Sequence, residues 1–164
     1  MVVVLTGVAG AGKTTVGRLL ATELGWRFVE GDELHAPASV AKMARGEPLT
    51  DEDRRPWLAA LRAAIADLLA RGEDAVVTCS ALKAAYRDEL RVDPARVRFV
   101  LLAGDYALID RRLASREGHF MPRSLLASQF AALEAPGKNE DVLTVHVTGS
   151  PEEVVETIRR RLGL

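Results

Sequence analysis

The run Gly7-Val8-Ala9-Gly10-Ala11-Gly12-Lys13-Thr14 satisfies the pattern G-x-x-x-x-G-K-[ST] at every fixed position. Glycines at these places let the backbone turn successive N–H groups inward around phosphate oxygens. Lys13 then reaches the β- and γ-phosphates, and the Thr14 hydroxyl, followed by Thr15, is placed to ligate Mg²⁺. A helix starting at Lys13 would aim its positive end at the same anions. The chemistry predicted is the binding of a nucleotide by its phosphates.

Two further groups could act on what the cradle holds. Glu30 and Asp32 flank Gly31, and two acidic residues at that spacing in a strand point the same way. One could serve a metal's water shell and the other an acceptor hydroxyl. Lys42, Arg54, Lys83 and Arg87 are cations in segments expected to face the same site, and Arg112 and Arg116 share a helix face suited to closing over ATP. An arginine so placed stabilises charge on a transferring phosphoryl group.

The elements that must position these residues alternate regularly. Val2–Leu5, Trp26–Glu30, Ala75–Cys79, Val97–Leu102 and Leu143–Val147 read as short buried strands. Helical spacing follows from Lys13 to Leu24, from Thr50 to Gly72, over Leu82–Leu90, over Asp105–Arg116, from Pro122 to Leu133 and from Ser150 to Leu162. Thr50 with Asp53, and Ser150-Pro151-Glu152-Glu153, are helix-start signatures. Trp57 opens the apolar face of the long helix and is read as a core anchor. Strand–helix alternation predicts an α/β fold with a parallel sheet covered on both faces. The mixed segment 31–60 is an excursion after the second strand, and 111–135 is a lid.

The chain has 164 residues and a net charge of −1, with 27% charged and 5% aromatic residues. That length suits one domain, 1–164, and the neutral balance argues against a nucleic-acid binder. The single cysteine, Cys79, cannot form an internal disulfide. The apolar start is too short for a signal peptide and no run is long enough for a membrane span, so a cytoplasmic protein is expected. D-x-x-G and N-K-x-D, which a GTPase needs, are absent. An acidic residue directly ending the third or fourth strand, usual in motor and AAA-type ATPases, is absent too, which leaves the plan of a small kinase.

Gly7–Thr14, Glu-Gly-Asp-Glu-Leu-His (30–35), the block from Lys42 to Leu58, Cys-Ser-Ala-Leu-Lys-Ala-Ala-Tyr-Arg (79–87), Gly-His-Phe (118–120) and Gln-Phe (129–130) together resemble the gluconate kinases. These are P-loop enzymes related to shikimate and nucleoside-monophosphate kinases. The resemblance implies a three-layer P-loop kinase sandwich with strand order 2-3-1-4-5, and transfer of the ATP γ-phosphate to the 6-hydroxyl of D-gluconate with Mg²⁺, by a homodimer. It further implies Lys13, Asp32 and Arg116 as catalytic residues, with Asp32 on the acceptor hydroxyl. His35, Arg54, Lys83 and Arg87 would bind gluconate, Gly7–Thr15 with Arg112 and Arg116 would bind ATP, and Thr14 and Glu30 would serve the metal. The family usually has Asp where Glu30 stands. On the residues alone, a kinase for another small hydroxy acid, or an ATP-binding domain without catalysis, stays open.

Overall fold

The computed structural model describes residues 1–115 and 125–164. Its sheet comprises β1 (Val2–Thr6), β2 (Arg27–Glu30), β3 (Ala75–Thr78), β4 (Val97–Ala103) and β5 (Val142–His146), in the order β2-β3-β1-β4-β5. All four pairings are parallel, as the alternation predicts. Seven α-helices are described: α1 (Lys13–Leu24), α2 (Pro37–Ala44), α3 (Asp51–Ala70), α4 (Ala84–Leu90), α5 (Tyr106–Ala114), α6 (Leu125–Ala132) and α7 (Pro151–Leu162). The predicted helix from Pro122 is therefore seen from Leu125 onward, and 122–124 lie outside the described residues.

β1 runs through the centre of the sheet and is wholly buried. Its side chains alternate between two apolar clusters, because successive residues of a strand point to opposite faces. Val3 and Leu5 pack with Val16 and Leu20 of α1 and Ile158 of α7, while Val2 and Val4 pack with Trp57, Leu61 and Ile65 of α3. Both faces of the sheet are thus covered by helices, which explains the near-continuous apolar runs of the central strands β1, β3 and β4. The edge strands β2 and β5, expected to be buried like the others, are mostly half-buried or exposed, because each has a neighbour on one side only.

The helix starts read from the sequence form as capping boxes. Thr50 accepts from the Asp53 N–H and Asp53 from the Thr50 N–H, and Ser150 and Glu153 repeat the arrangement at α7. Asp53 also receives Lys42 Nζ at 2.7 Å, which ties α2 to the first turn of α3. These contacts hold the Asp53 carboxyl down at about 2, the Lys42 hydrogen bond being the largest cause. The excursion is more ordered than a loop: a 3₁₀ turn at Gly31–Leu34 and α2 occupy much of it.

A buried ion pair secures the other side of the fold. Arg87 of α4 is completely buried, and its guanidinium donates to both carboxylate oxygens of Glu140, 53 residues away, the Nη2 bond being 2.9 Å. Arg87 Nη1 donates to the carbonyls of Ala81 and Leu82 at 3.3 and 3.1 Å. Ala81 is the one described non-glycine residue with positive φ, at 36°, a conformation that costs of order 1–3 kcal/mol and persists where neighbours over-determine it. Removing one member of a buried pair strands the other, at about 3–5 kcal/mol. Arg87→Met should therefore lower the thermal midpoint by about 10 °C for a domain of this size, and Arg87→Met with Glu140→Leu should recover much of that loss in the same calorimetric scan.

Candidate active site

The loop between β1 and α1 lies at the carboxyl ends of β1, β3 and β4, where open parallel sheets bind ligands. Gly7 N–H donates to Ser80 O at 3.2 Å and Ala11 N–H to Val8 O at 3.2 Å, so the loop is fastened to the end of β3 and closed on itself. Lys13 Nζ donates to Gly7 O and Val8 O at 3.0 and 3.1 Å, which lays the ammonium across the loop's mouth. Gly10 has φ +81°, and a Cβ there would stand 2.8 Å from Leu113 Cγ of α5. Glycine is required on both counts.

Two clefts meet at this loop and share Gly10, Gly12 and Thr15. One is walled by Lys13, Thr14, Asp32, His35, Arg54 and Ser80, with apolar Met43, Leu49 and Leu125. The other is walled by Ala11, Val16, Arg112, Val147, Gly149 and Pro151. Arg112 Nη2 donates to Val147 O at 2.6 Å, which holds its guanidinium against the turn between β5 and α7. The first cleft is polar with both charge signs and suits a small hydroxylated anion. The second has an arginine, glycines and aliphatic side chains, and suits a flat base.

On the acceptor side the chain uses aromatic support. Trp57 is buried, and its Nε1 donates to Gly31 O at 2.8 Å. The His35 ring stacks on the indole with centroids 4.4 Å apart and planes at 10°. Trp57 is thus a core anchor, as read, that also fixes two parts of the cleft. His35 Nδ1 is buried without a hydrogen-bond partner among the described residues. Burial lowers the His35 pKa, the charge of Asp32 opposes this, and Arg54 adds to the lowering. Arg54 Nη1 donates to Leu49 O at 2.7 Å and leaves other donors of its fork for a ligand.

Several expected site residues are placed elsewhere. Glu30 and Asp32 do not share one strand face, since β2 ends at Glu30 and Asp32 lies in the 3₁₀ turn. Gly31 allows the close packing at that break, since a Cβ there would stand 2.0 Å from Thr78 O. Glu30 accepts from the Thr78 hydroxyl and does not line either cleft, so the structure gives no support to its metal role. Arg87 is withdrawn from the gluconate set, because Glu140 and two carbonyls occupy its buried guanidinium. Lys83 also lies outside the clefts, its ammonium bonded to Asp51 at 2.9 and 3.0 Å. Arg116 falls outside the described residues.

Ser80, Ser128 and Gln129 in the first cleft and Val147, Gly149 and Pro151 in the second were given no site role from the sequence. Ser80 and Gln129 nevertheless stand within the blocks that carry the family resemblance, and Pro151 within a helix-start signature. Cys79 is not a nucleophile, since burial pushes its thiol up to about 12. Among the described residues no cluster of His, Cys, Asp and Glu could hold a metal by itself. A nucleotide-borne Mg²⁺ needs only one or two protein oxygens, and Thr14 and Asp32 line the same cleft.

The His35 shift sets a pH dependence. A histidine titrates near 6.5 when unfolded and lower here, so its contribution is complete above pH 6.5 and is lost as pH falls below it. Denaturant midpoints measured from pH 7.5 to 5 should fall less steeply for His35→Phe, which keeps the stack but cannot titrate.

A family model described as an AAA domain matches residues 2–136. The acidic strand end usual in AAA-type ATPases is absent after Thr78, and what the match covers is the nucleotide-binding core from β1 to just beyond α6. A gluconokinase of Gluconobacter oxydans is 50% identical over 157 residues, 96% of this chain and 88% of its relative. A sugar kinase of Janibacter sp. superposes with a TM-score of 0.93 at 44% identity, covering 99% of this chain and 94% of that one. A gluconokinase of Sinorhizobium meliloti superposes with a TM-score of 0.88 at 43% identity, covering 98% and 90%. Matched in this way along nearly its whole length, with two clefts meeting at one phosphate loop, the chain belongs to the gluconokinase family of P-loop kinases.

Proposed function

We propose that this protein phosphorylates D-gluconate on its 6-hydroxyl with ATP, giving 6-phosphogluconate and ADP. The observation that carries this reading is the meeting of an anion-binding, acid-bearing cleft and a base-shaped cleft at one phosphate cradle. Adenosine lies against Arg112 and the turn Val147–Pro151, the phosphates cross the loop, and the acceptor enters beside Asp32. Gluconate brings one carboxylate and several hydroxyls. Arg54 supplies the fixed positive charge, and neutral His35 supplies a hydrogen-bonding group that costs no charge repulsion. A shikimate-like acid would need the same cation, but the relatives' identity favours gluconate.

The phosphoryl transition state is loose, so positioning and charge stabilisation matter more than a strong base. Lys13, already laid across the loop by two carbonyls, meets the charge that develops on the β- and γ-phosphates. Asp32 accepts the hydroxyl's proton late in transfer and holds the oxygen in line. Mg²⁺, held by Thr14 with Asp32 near its water shell, would neutralise phosphate charge. Arg116, outside the described residues, would meet charge on the transferring phosphoryl group. Arg87 acts at a remove, by holding the backbone of Ala81 and Leu82 beside Ser80. No helix among the described residues is long and apolar enough to cross a membrane. A cytoplasmic homodimer belongs to the same proposal.

A coupled ADP-release assay over a panel of small hydroxy acids and sugars, with ATP and Mg²⁺, tests the substrate. Gluconate should lead the panel, and a chain that turns over none of its members would sink the reading. Asp32→Asn keeps size but removes the charge, so kcat should fall about 100-fold or more while ATP affinity hardly changes. An Asp32→Asn protein that binds ATP poorly yet still turns over gluconate would move Asp32 to the nucleotide side.

A further inference from the structure

Ala9 belongs to the phosphate loop, yet its N–H is engaged: it donates to Oε1 of Gln129, 120 residues away on α6, at 2.6 Å. This is a short bond for an amide donor. Ala9 lines the acceptor cleft and not the nucleoside cleft, whereas Ala11 does the reverse. An anion that meets the Ala9 N–H is therefore the phosphate farthest from the nucleoside, the one to be transferred. Gln129 itself lines the acceptor cleft next to Ser128.

α6 is attached elsewhere as well. Leu126 is buried in the cluster on one face of the sheet, and Leu125 in a small separate cluster with Met43 of α2 and Leu49. One short helix thus touches the loop apex through Gln129 and the acceptor excursion through Leu125. The same helix therefore borders both the loop and the excursion that walls the acceptor cleft.

We propose that Gln129 is a positioning residue whose carboxamide oxygen holds the place of a terminal phosphate oxygen at the Ala9 N–H, and yields it when a triphosphate binds. The inference rests on the kinase reading above. Diphosphate does not extend to Ala9, so Gln129 keeps the N–H when ADP is bound and takes it back after transfer. The exchange makes α6 sensitive to whether a transferable phosphate is present. It also disfavours retention of a phosphate at the apex once the acceptor has been phosphorylated.

The test is calorimetric titration of the full chain with Mg²⁺ and either the non-hydrolysable analogue AMPPNP or ADP. Gln129→Ala removes the competing acceptor, so AMPPNP should bind about threefold to tenfold more tightly, the worth of one neutral hydrogen bond, with ADP within about twofold. Gln129→Glu puts a charge where the terminal phosphate goes, and AMPPNP should bind at least about tenfold more weakly, ADP by a smaller factor. If either variant fails to fold, Gln129→Met keeps the volume without the acceptor and should match the alanine result. Weaker AMPPNP binding to Gln129→Ala, equal shifts for the two nucleotides, or no shift at all would overturn the proposal. Wild-type protein that binds neither nucleotide would instead overturn the kinase reading, and this inference with it.

Discussion

A loop that turns its N–H groups toward a ligand leaves them without partners of its own, and a buried unpaired amide costs about 1–3 kcal/mol. Much of this structure answers that cost around Gly7–Lys13. The loop is strung between a wholly buried strand and a helix, bonded to Ser80 behind it, and bridged by Lys13 to its own carbonyls. Gln129 takes up one donor at the apex. The binding surface is thus held in shape by bonds that do not depend on a ligand, and preorganisation of this kind is what makes electrostatic stabilisation effective.

The same economy governs the charges. Of the cations that could have met an anionic acceptor, Arg54 lines the cleft, while Arg87 and Lys83 are bonded to Glu140 and Asp51. Arg87 spends its charge on architecture: it steadies the left-handed Ala81 and, with it, the cleft wall formed by Ser80 and Leu82. Trp57 joins the two roles in one side chain, because its ring fills the core while its N–H and its face hold Gly31 and His35. Stability and site geometry are inseparable at these positions, so substitutions there should not be sorted into one or the other.

Local order was legible in the chain because its causes are local. The phosphate loop needs glycines and a lysine at fixed spacing. Capping boxes join residues three apart, and a β-branched apolar run of four or five residues between turns has the length and composition of a buried strand. From these follow the five strands, their parallel pairing and the place of the ATP phosphates. Asp32, Arg54 and Arg112 were placed in this region by residue type and position, His35 only by the family resemblance, and all four line the clefts that meet at the loop.

What the tertiary structure decided was the allegiance of long charged side chains and of residues distant in the chain. A guanidinium at Arg87 looks the same in sequence whether it meets a substrate or Glu140, and a separation of 53 positions hides the difference. The Glu30–Asp32 pair could not obey strand alternation, because β2 ends at Glu30 and a 3₁₀ turn begins at Gly31. Gln129 had no spacing relation to Ala9 at all, because 120 residues of folded chain are needed to bring them to 2.6 Å. Spacing determined which elements form and where the phosphate loop sits; packing alone decided which charges were left for a ligand, since an ion pair depends on distances that only the folded chain sets.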